Sequence, residues 1–530
     1  MLQGFKKILL LIIAASMTAT LFPIVFVSAE VPNWGAEVRV APKAVEVKEL
    51  STSVTTAVLL DGLDYNGKQT QFFAYWDMPD VYSGQTVPGI VLLHGGGGTA
   101  RKDWVNFWVR RGYAAISIYW VERESLSDPK VPSSYNWNIG PRKIGTFLDY
   151  TSPIEDQWMY HAVADTMLAQ SFLAAQAGVD AERIGLCGVS WGGIIASYVM
   201  GVDERFAFAI PIYGTGYLVD SKAKISEDLV ADAVKIWDPS TVLGNAKMPT
   251  LFINSNNDTY FSLNLQAKAQ AAVKGSHLSI QNGLSHGHDV AFSIEEAYSF
   301  ADSIVASGTG FINFLDNKLE FKNDTVITQV SYEADLPLKS ATLWYTTDDD
   351  GLKYTNYKYT GTWQNQLLST ATSGSLSAQL PVDTKGYYIE TVDSLNRISA
   401  TPYVEFSAAV GESGITQPEF TSVVNDAESA ATLPLDAILR AKSLITNGDT
   451  KPLNAMIVLA IYDKSGRMIS VSAEKYSIAE LTKKSCIAEI DITKLDKSLQ
   501  NTIDMSAIAK AFVFDSANKL KPLCAYGELS

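Results

Sequence analysis

Cysteine is scarce in this chain, with three residues in 530, too few for a disulfide framework to stand in for a hydrophobic core. Cys187 lies in an apolar run and reads as a small buried hydrophobe. Cys486 and Cys524 could pair, if their geometry allows it. Histidine is nearly as rare, at five residues, and no CxxC or HExxH spacing occurs, so there is no zinc signature and neither a metal nor a cofactor is expected. Positive charge is in deficit: 42 Lys and Arg against 57 Asp and Glu give a net charge of -15. That balance repels phosphate backbones and anionic lipid headgroups, which argues against nucleic acid and membrane surfaces as partners and for a neutral substrate. No sequence repeat indicates a solenoid or propeller. The acidic run Asp348-Asp349-Asp350-Gly351 lacks the alternating ligand spacing of a calcium loop and is expected to be a solvated hairpin turn.

Only one stretch is long and apolar. Residues 1–29 combine Lys6 and Lys7, an apolar centre and the small-residue ending Val27-Ser28-Ala29, the layout of a secretory signal cleaved after Ala29. An uncleaved anchor is the alternative, opposed by Pro23 and by the small-residue exit. The mature chain is therefore expected to be secreted or extracellular, without membrane insertion after cleavage.

At this length several domains are expected. From about residue 50 to 310, short apolar runs alternate with helix-period segments, the pattern of a doubly wound α/β sheet. The strand candidates are TQFFAYWDMP, GIVLLHG, YAAISIYW, RIGLCGVS, FAFAIPIYG, TLFINSN and HLSIQNG. Near residue 312 the pattern changes to alternating strands and turns, fitting a β-sandwich, and a second sandwich is expected after VGESGITQPE. The predicted organisation is a signal over 1–29, an α/β catalytic domain over 30–311, and sandwiches over 312–410 and 411–530.

Within the α/β segment, GLCGVSWGG places Ser190 two residues from Gly188 and from Gly192, between a strand and a helix. A sharp strand-to-helix turn needs such small flanking residues to present a serine hydroxyl, and the helix N-terminus favours negative charge beside it. Acyl transfer also needs an oxyanion site, a base and an orienting acid. LLHGGGGTA ends a buried strand, so the N–H of Trp191 with that of Gly96 or Gly97 is the expected oxyanion hole, while His94 supports the loop. Asp258 is the sole carboxylate in the loop after TLFINSN and is the candidate acid. In LSHGHD, His286 is preferred as base because it leaves the strand first, with His288 as the alternative. The order serine, acid, histidine is that of α/β hydrolases. Trp104, Trp108, Trp120, Trp137 and Trp158 could line a sugar-facing cleft, although ordinary packing is the default for tryptophan.

The motifs HGGGG at 94–98, GVSWGG at 188–193, NSNNDTYF at 254–261 and SHGHD at 285–289 resemble the α/β-hydrolase superfamily. They are most similar to its dienelactone-hydrolase, acetyl-xylan-esterase and prolyl-oligopeptidase-type catalytic domains. The resemblance covers roughly residues 50–310 and implies Ser190 as nucleophile, Asp258 as acid and His286 as base. The tail resembles accessory sandwiches of secreted carbohydrate-active proteins. No propeller precedes the catalytic segment, which counts toward small ester substrates over oligopeptides. The expectation is a secreted carboxylic ester hydrolase acting on a small ester or an acylated polysaccharide, with glycan contact through the C-terminal domains left open. A serine peptidase and an inactive glycan-binding protein are the alternatives.

Overall fold

The computed structural model describes residues 31–120, 129–227, 229–322, 325–348, 351–370, 374–381, 384–405, 414–415, 418–424, 427–430, 437–447, 453–463, 465–478, 482–495, 497, 500, 507–514 and 527–529. The predicted signal and its cleavage point lie outside these residues. No helix among the described residues is long and apolar enough to cross a membrane.

The first sheet has nine strands: β1 (Ala44–Glu46), β2 (Thr56–Tyr65), β3 (Lys68–Asp77), β4 (Val87–Leu93), β5 (Ala114–Tyr119), β6 (Val179–Val189), β7 (Ala209–Ile212), β8 (Leu251–Ser255) and β9 (His277–Gln281). Their spatial order is β1-β2-β3-β5-β4-β6-β7-β8-β9. The strands from β5 to β9 pair in parallel, while β1, β2 and β3 form an antiparallel edge. All seven expected strands are present. The apolar runs of β4 and β5 are buried residue after residue, as covering on both faces requires. Chain order reverses around β4, whose neighbours are β5 and β6, so the loops leaving β4 and β6 emerge side by side at the switch point where α/β folds bind ligands.

The helices that cover this sheet are α1 (Lys102–Val109), α2 (Trp158–Ala174), α3 (Trp191–Val199), α4 (Ala231–Trp237), α5 (Leu263–Ala272), α6 (His288–Ala291) and α7 (Glu295–Val305). In α2 every residue from Trp158 to Leu173 is buried, because this helix is wrapped on all sides and has no solvent face.

Two further groups of antiparallel sheets follow. In the middle group, β10 (Asn313–Lys322), β11 (Thr325–Glu333) and β16 (Ser375–Leu380) form one sheet. The facing sheet has the order β15-β12-β17-β18, from β12 (Leu338–Thr346), β15 (Gln364–Leu367), β17 (Gly386–Asp393) and β18 (Ile398–Ala400), with β19 (Val404–Glu405) also on β17. A separate hairpin joins β13 (Tyr354–Thr355) to β14 (Lys358–Tyr359). The last group holds one sheet around Ile438–Asn447 and another around Leu453–Tyr462. The architecture is thus a doubly wound α/β unit followed by two β-sandwiches.

One expectation needs correction. Of the acidic run expected to form a hairpin turn, residues 349–350 lie outside the described residues; Gly351 N–H donates to the Asp348 carbonyl at 2.8 Å, but β12 and β13 do not pair and so form no hairpin. Asp348 is partnered: its carboxylate accepts from Thr362 N–H at 2.7 Å. Cys187 and Cys486 are free and buried, and Cys524, the residue proposed to pair with Cys486, lies outside the described residues.

Candidate active site

Strand β6 delivers Ser190 to a turn with φ 56° and ψ -116°, a region costly for any side-chain-bearing residue. The strain is held by close packing. A Cβ on Gly188 would lie 2.0 Å from the Gly192 carbonyl oxygen, and one on Gly192 would lie 2.2 Å from that of Leu93. Backbone surrounds the elbow, which is why both positions are glycine. Ser190 N–H donates to Ile212 at 2.9 Å, anchoring the turn to β7.

The structure brings Ser190, Asp258 and His286 together. His286 Nε2 is 2.8 Å from Ser190 Oγ, and its Nδ1 is 2.7 Å from Asp258 Oδ2. Asp258 is buried, and its other oxygen accepts N–H bonds from Tyr260 and Phe261, each at 2.7 Å. These bonds fix the carboxylate so that it faces the imidazole. Tyr213 and Tyr260 flank the His286 ring at centroid distances of 4.4 and 4.5 Å, and Tyr213 donates to Gly287 O at 2.5 Å. The sequence did not single out either tyrosine: Tyr213 follows β7 and Tyr260 lies two residues past Asp258, and only folding brings them to one ring.

His288, the alternative base, lines the same cavity, but its ring is engaged by the glycine loop. Its Nε2 accepts the Gly95 N–H at 2.9 Å, and burial lowers its proton affinity, with the neighbouring Arg101 charge adding to the effect. It therefore holds the glycine loop. His94 does so as well: it is fully buried, stacks on Trp120 at 4.3 Å and contacts Gly95 O through Nδ1 at 2.7 Å. Burial brings its pKa from 6.5 down to about 3.

A cavity of about 430 Å³ opens over the serine, lined by Gly96, Gly97, Trp191, Tyr213, Ile225 and Tyr260 among others, within the range of small-molecule sites. The three expected oxyanion residues thus share one cavity with Ser190. Trp191 opens α3, where the first N–H groups have no intrahelical acceptor. The described lining contains no Asp, Glu, Lys or Arg; Lys143 stands over Trp191 at 4.1 Å and Lys224 over Tyr260 at 5.4 Å. The five tryptophans follow the default of ordinary packing and form no cleft wall. Trp104, Trp108, Trp120 and Trp158 are core residues, Trp137 is half-buried, and none of the five lines the cavity. Trp191 supplies the aromatic wall, backed edge-on by Trp158 at 5.7 Å. Among the described residues no cluster of His, Cys, Asp and Glu could hold a metal ion.

No curated protein matches the chain. Among solved structures it is similar to an acetyl xylan esterase from Paenibacillus sp. R4, at 16% identity and TM-score 0.38 over 53% of this chain and 100% of that one. It is also similar to acetyl xylan esterase 1 from Thermoanaerobacterium sp., at 15% identity and TM-score 0.40 over 50% and 89%. An acylaminoacyl peptidase from Pyrococcus horikoshii aligns at 18% identity and TM-score 0.38 over 50% and 44%. Residues 148–302 match the model of the prolyl oligopeptidase family. With the sheet that this segment completes, the match identifies the N-terminal unit of the chain as an α/β-hydrolase domain of the serine-hydrolase type.

Proposed function

We propose that this protein is an exported carboxylic ester hydrolase that removes acyl groups from polysaccharide. The observation that carries the reading is the unbroken run of contacts from Asp258 through His286 to Ser190 beneath an open cavity whose described lining carries no Asp, Glu, Lys or Arg. In this reading His286 Nε2 takes the Ser190 proton as Oγ attacks the ester carbonyl, and Asp258 holds the Nδ1–H tautomer and stabilises the imidazolium. The Trp191 N–H and that of Gly96 or Gly97 take the developing oxyanion. His286 then returns the proton to the leaving alcohol, and water enters by the same route to release the acid. The described lining, free of Asp, Glu, Lys and Arg, suits a neutral acyl group, and no carboxylate among the described lining residues is placed to anchor a substrate ammonium group.

A serine peptidase is the second reading, favoured by the family match over residues 148–302. Acetate release from acetylated xylan, set beside cleavage of aminoacyl anilides, separates the two: the ester reading requires the first and fails if only anilides are cleaved. Absence both of p-nitrophenyl acetate turnover and of fluorophosphonate labelling would sink either enzyme reading and leave the glycan-binding one. Export is tested by N-terminal sequencing of protein from the culture medium, where a chain beginning at Glu30 is expected.

A further inference from the structure

The middle β-sandwich does more than follow the α/β unit in the chain. Its hairpin and the strands of its inner sheet reach the two loops that carry Asp258 and His286. Tyr354, on β13, donates its hydroxyl hydrogen to the Asp258 carbonyl at 2.8 Å. Trp363 donates its indole N–H to the Asn256 carbonyl at 2.7 Å. On β17, Tyr388 donates to Asn282 Oδ1, and Glu390 accepts from Asn282 Nδ2. The two loops are also joined to each other through Asn256. Its Nδ2 donates to Asn282 Oδ1 at 2.9 Å and its Oδ1 accepts Gly283 N–H at 3.0 Å, three residues before His286. Apolar packing is continuous across this contact: Leu352, Tyr388, Ala400 and Tyr403 belong to the same buried cluster as Phe261, Leu278 and Ile280.

We infer that Tyr354 and Trp363 are positioning residues for the catalytic pair, setting the distance between Asp258 and His286 from a separate sandwich. The inference rests on the triad reading above. Neither residue touches the serine or lines the cavity; each acts through the backbone carbonyl of the acid loop. An imidazole displaced by a fraction of an ångström from its carboxylate loses orientation and imidazolium stabilisation, while substrate binding in the cavity is untouched.

The test uses full-length Tyr354→Phe, which keeps the ring and deletes the donor, Trp363→Phe, which deletes the donor and puts a smaller aromatic ring in place of the indole, and the double variant, beside Glu405→Gln. Glu405 pairs with Lys222 at another part of the same contact. The measurements are kcat and KM for p-nitrophenyl acetate and the downfield proton resonance of His286 Nδ1–H. The expected result is a fall in kcat of roughly ten- to a hundredfold for the double variant with KM within about twofold of wild type, a shifted or broadened resonance, and a Glu405→Gln variant that behaves as wild type. Wild-type kcat and resonance in the double variant would overturn the inference. So would an equal loss in Glu405→Gln, which would make docking in general the cause. A wild-type protein lacking both esterase turnover and the resonance would mean that the triad reading itself has failed, and the inference with it.

Discussion

At the residue scale the two loop histidines part company. His286 lies between Asp258 and Ser190, and His288 accepts from the backbone of the glycine loop. His286→Ala is expected to cost three or more orders of magnitude in kcat. His288→Ala removes an acceptor that orients Gly95 and is expected to cost about ten- to a hundredfold, less than the roughly 10²–10³ lost when an oxyanion donor itself is removed. Equal losses in steady-state assays would contradict this division. The sequence narrowed the base to these two side chains because both follow the last strand. It could not choose between them by mechanism, since a two-residue step in a loop leaves the direction of each imidazole to packing.

Buried neutral histidines also set a pH dependence. Burial depresses the pKa of His94, His161, His277 and His288. Because the folded values lie below the unfolded one, the unfolded chain binds more protons once the pH falls below about 6.5. Stability is therefore full above that pH and declines as the pH drops toward about 3, where His94 finally titrates. His94 alone accounts for on the order of 5 kcal/mol across that window. Buried Asp165, whose pKa is raised by desolvation, works in the opposite sense from about pH 3.8 upward. Comparing His94→Asn with wild type cancels that contribution. Thermal melts between pH 7 and pH 4 should show a lower Tm for the variant at pH 7 but a shallower decline on acidification. Parallel curves would refute the assignment.

At the scale of single elements, the elbow is where sequence and structure agree most closely. A strand, a serine in a left-handed turn and a helix follow one another within a few residues, and the clashes that forbid side chains at Gly188 and Gly192 come mainly from nearby backbone. Gly188→Ala forces a methyl group into the Gly192 peptide, and the turn must open. Destabilisation of at least about 1–3 kcal/mol is expected, with loss of fluorophosphonate labelling; a variant that labels at the wild-type rate would show that the elbow tolerates the change. Consecutive apolar residues marked the parallel strands for an equally local reason. The tryptophans were less legible. Large apolar side chains serve a core and a sugar-binding wall equally well, so composition could not separate Trp104, Trp108, Trp120 and Trp158, which are core, from Trp191, which faces the cavity.

At the scale of the whole molecule, the three units are tied together unequally. The middle sandwich shares a buried cluster with the α/β unit, and Arg397 reinforces the contact. Its guanidinium pairs with buried Asp393 at 2.7 Å and donates to the Thr309 and Gly310 carbonyls at 2.7 and 2.8 Å. The last sandwich has its own core, with Leu439, Ile457, Leu459 and Ala511 at its centre, and among the described residues this core has no residue in common with the other clusters. Two calorimetric transitions are expected, one for the first two units together and one for the last. Deleting residues 414–530 should remove a single transition while kcat and KM for a soluble ester stay within about twofold, since separate cores unfold separately. A single transition in the full chain, or lost ester turnover after the deletion, would contradict this partition.

By itself the sequence determined what neighbours along the chain impose on one another. Apolar runs became buried strands, glycines made the elbow possible, and the serine, the acid and a histidine followed in the order that successive strands of this sheet deliver them. Tertiary structure decided what depends on residues far apart. Ser190 and His286 are 96 positions apart, as are Asp258 and Tyr354, and no local pattern encodes such a pair. Which histidine faces the serine, which tryptophan faces the substrate, and the use of a second domain to hold the acid loop all follow from packing. Packing selects among side chains that local sterics and hydrophobic periodicity leave equivalent.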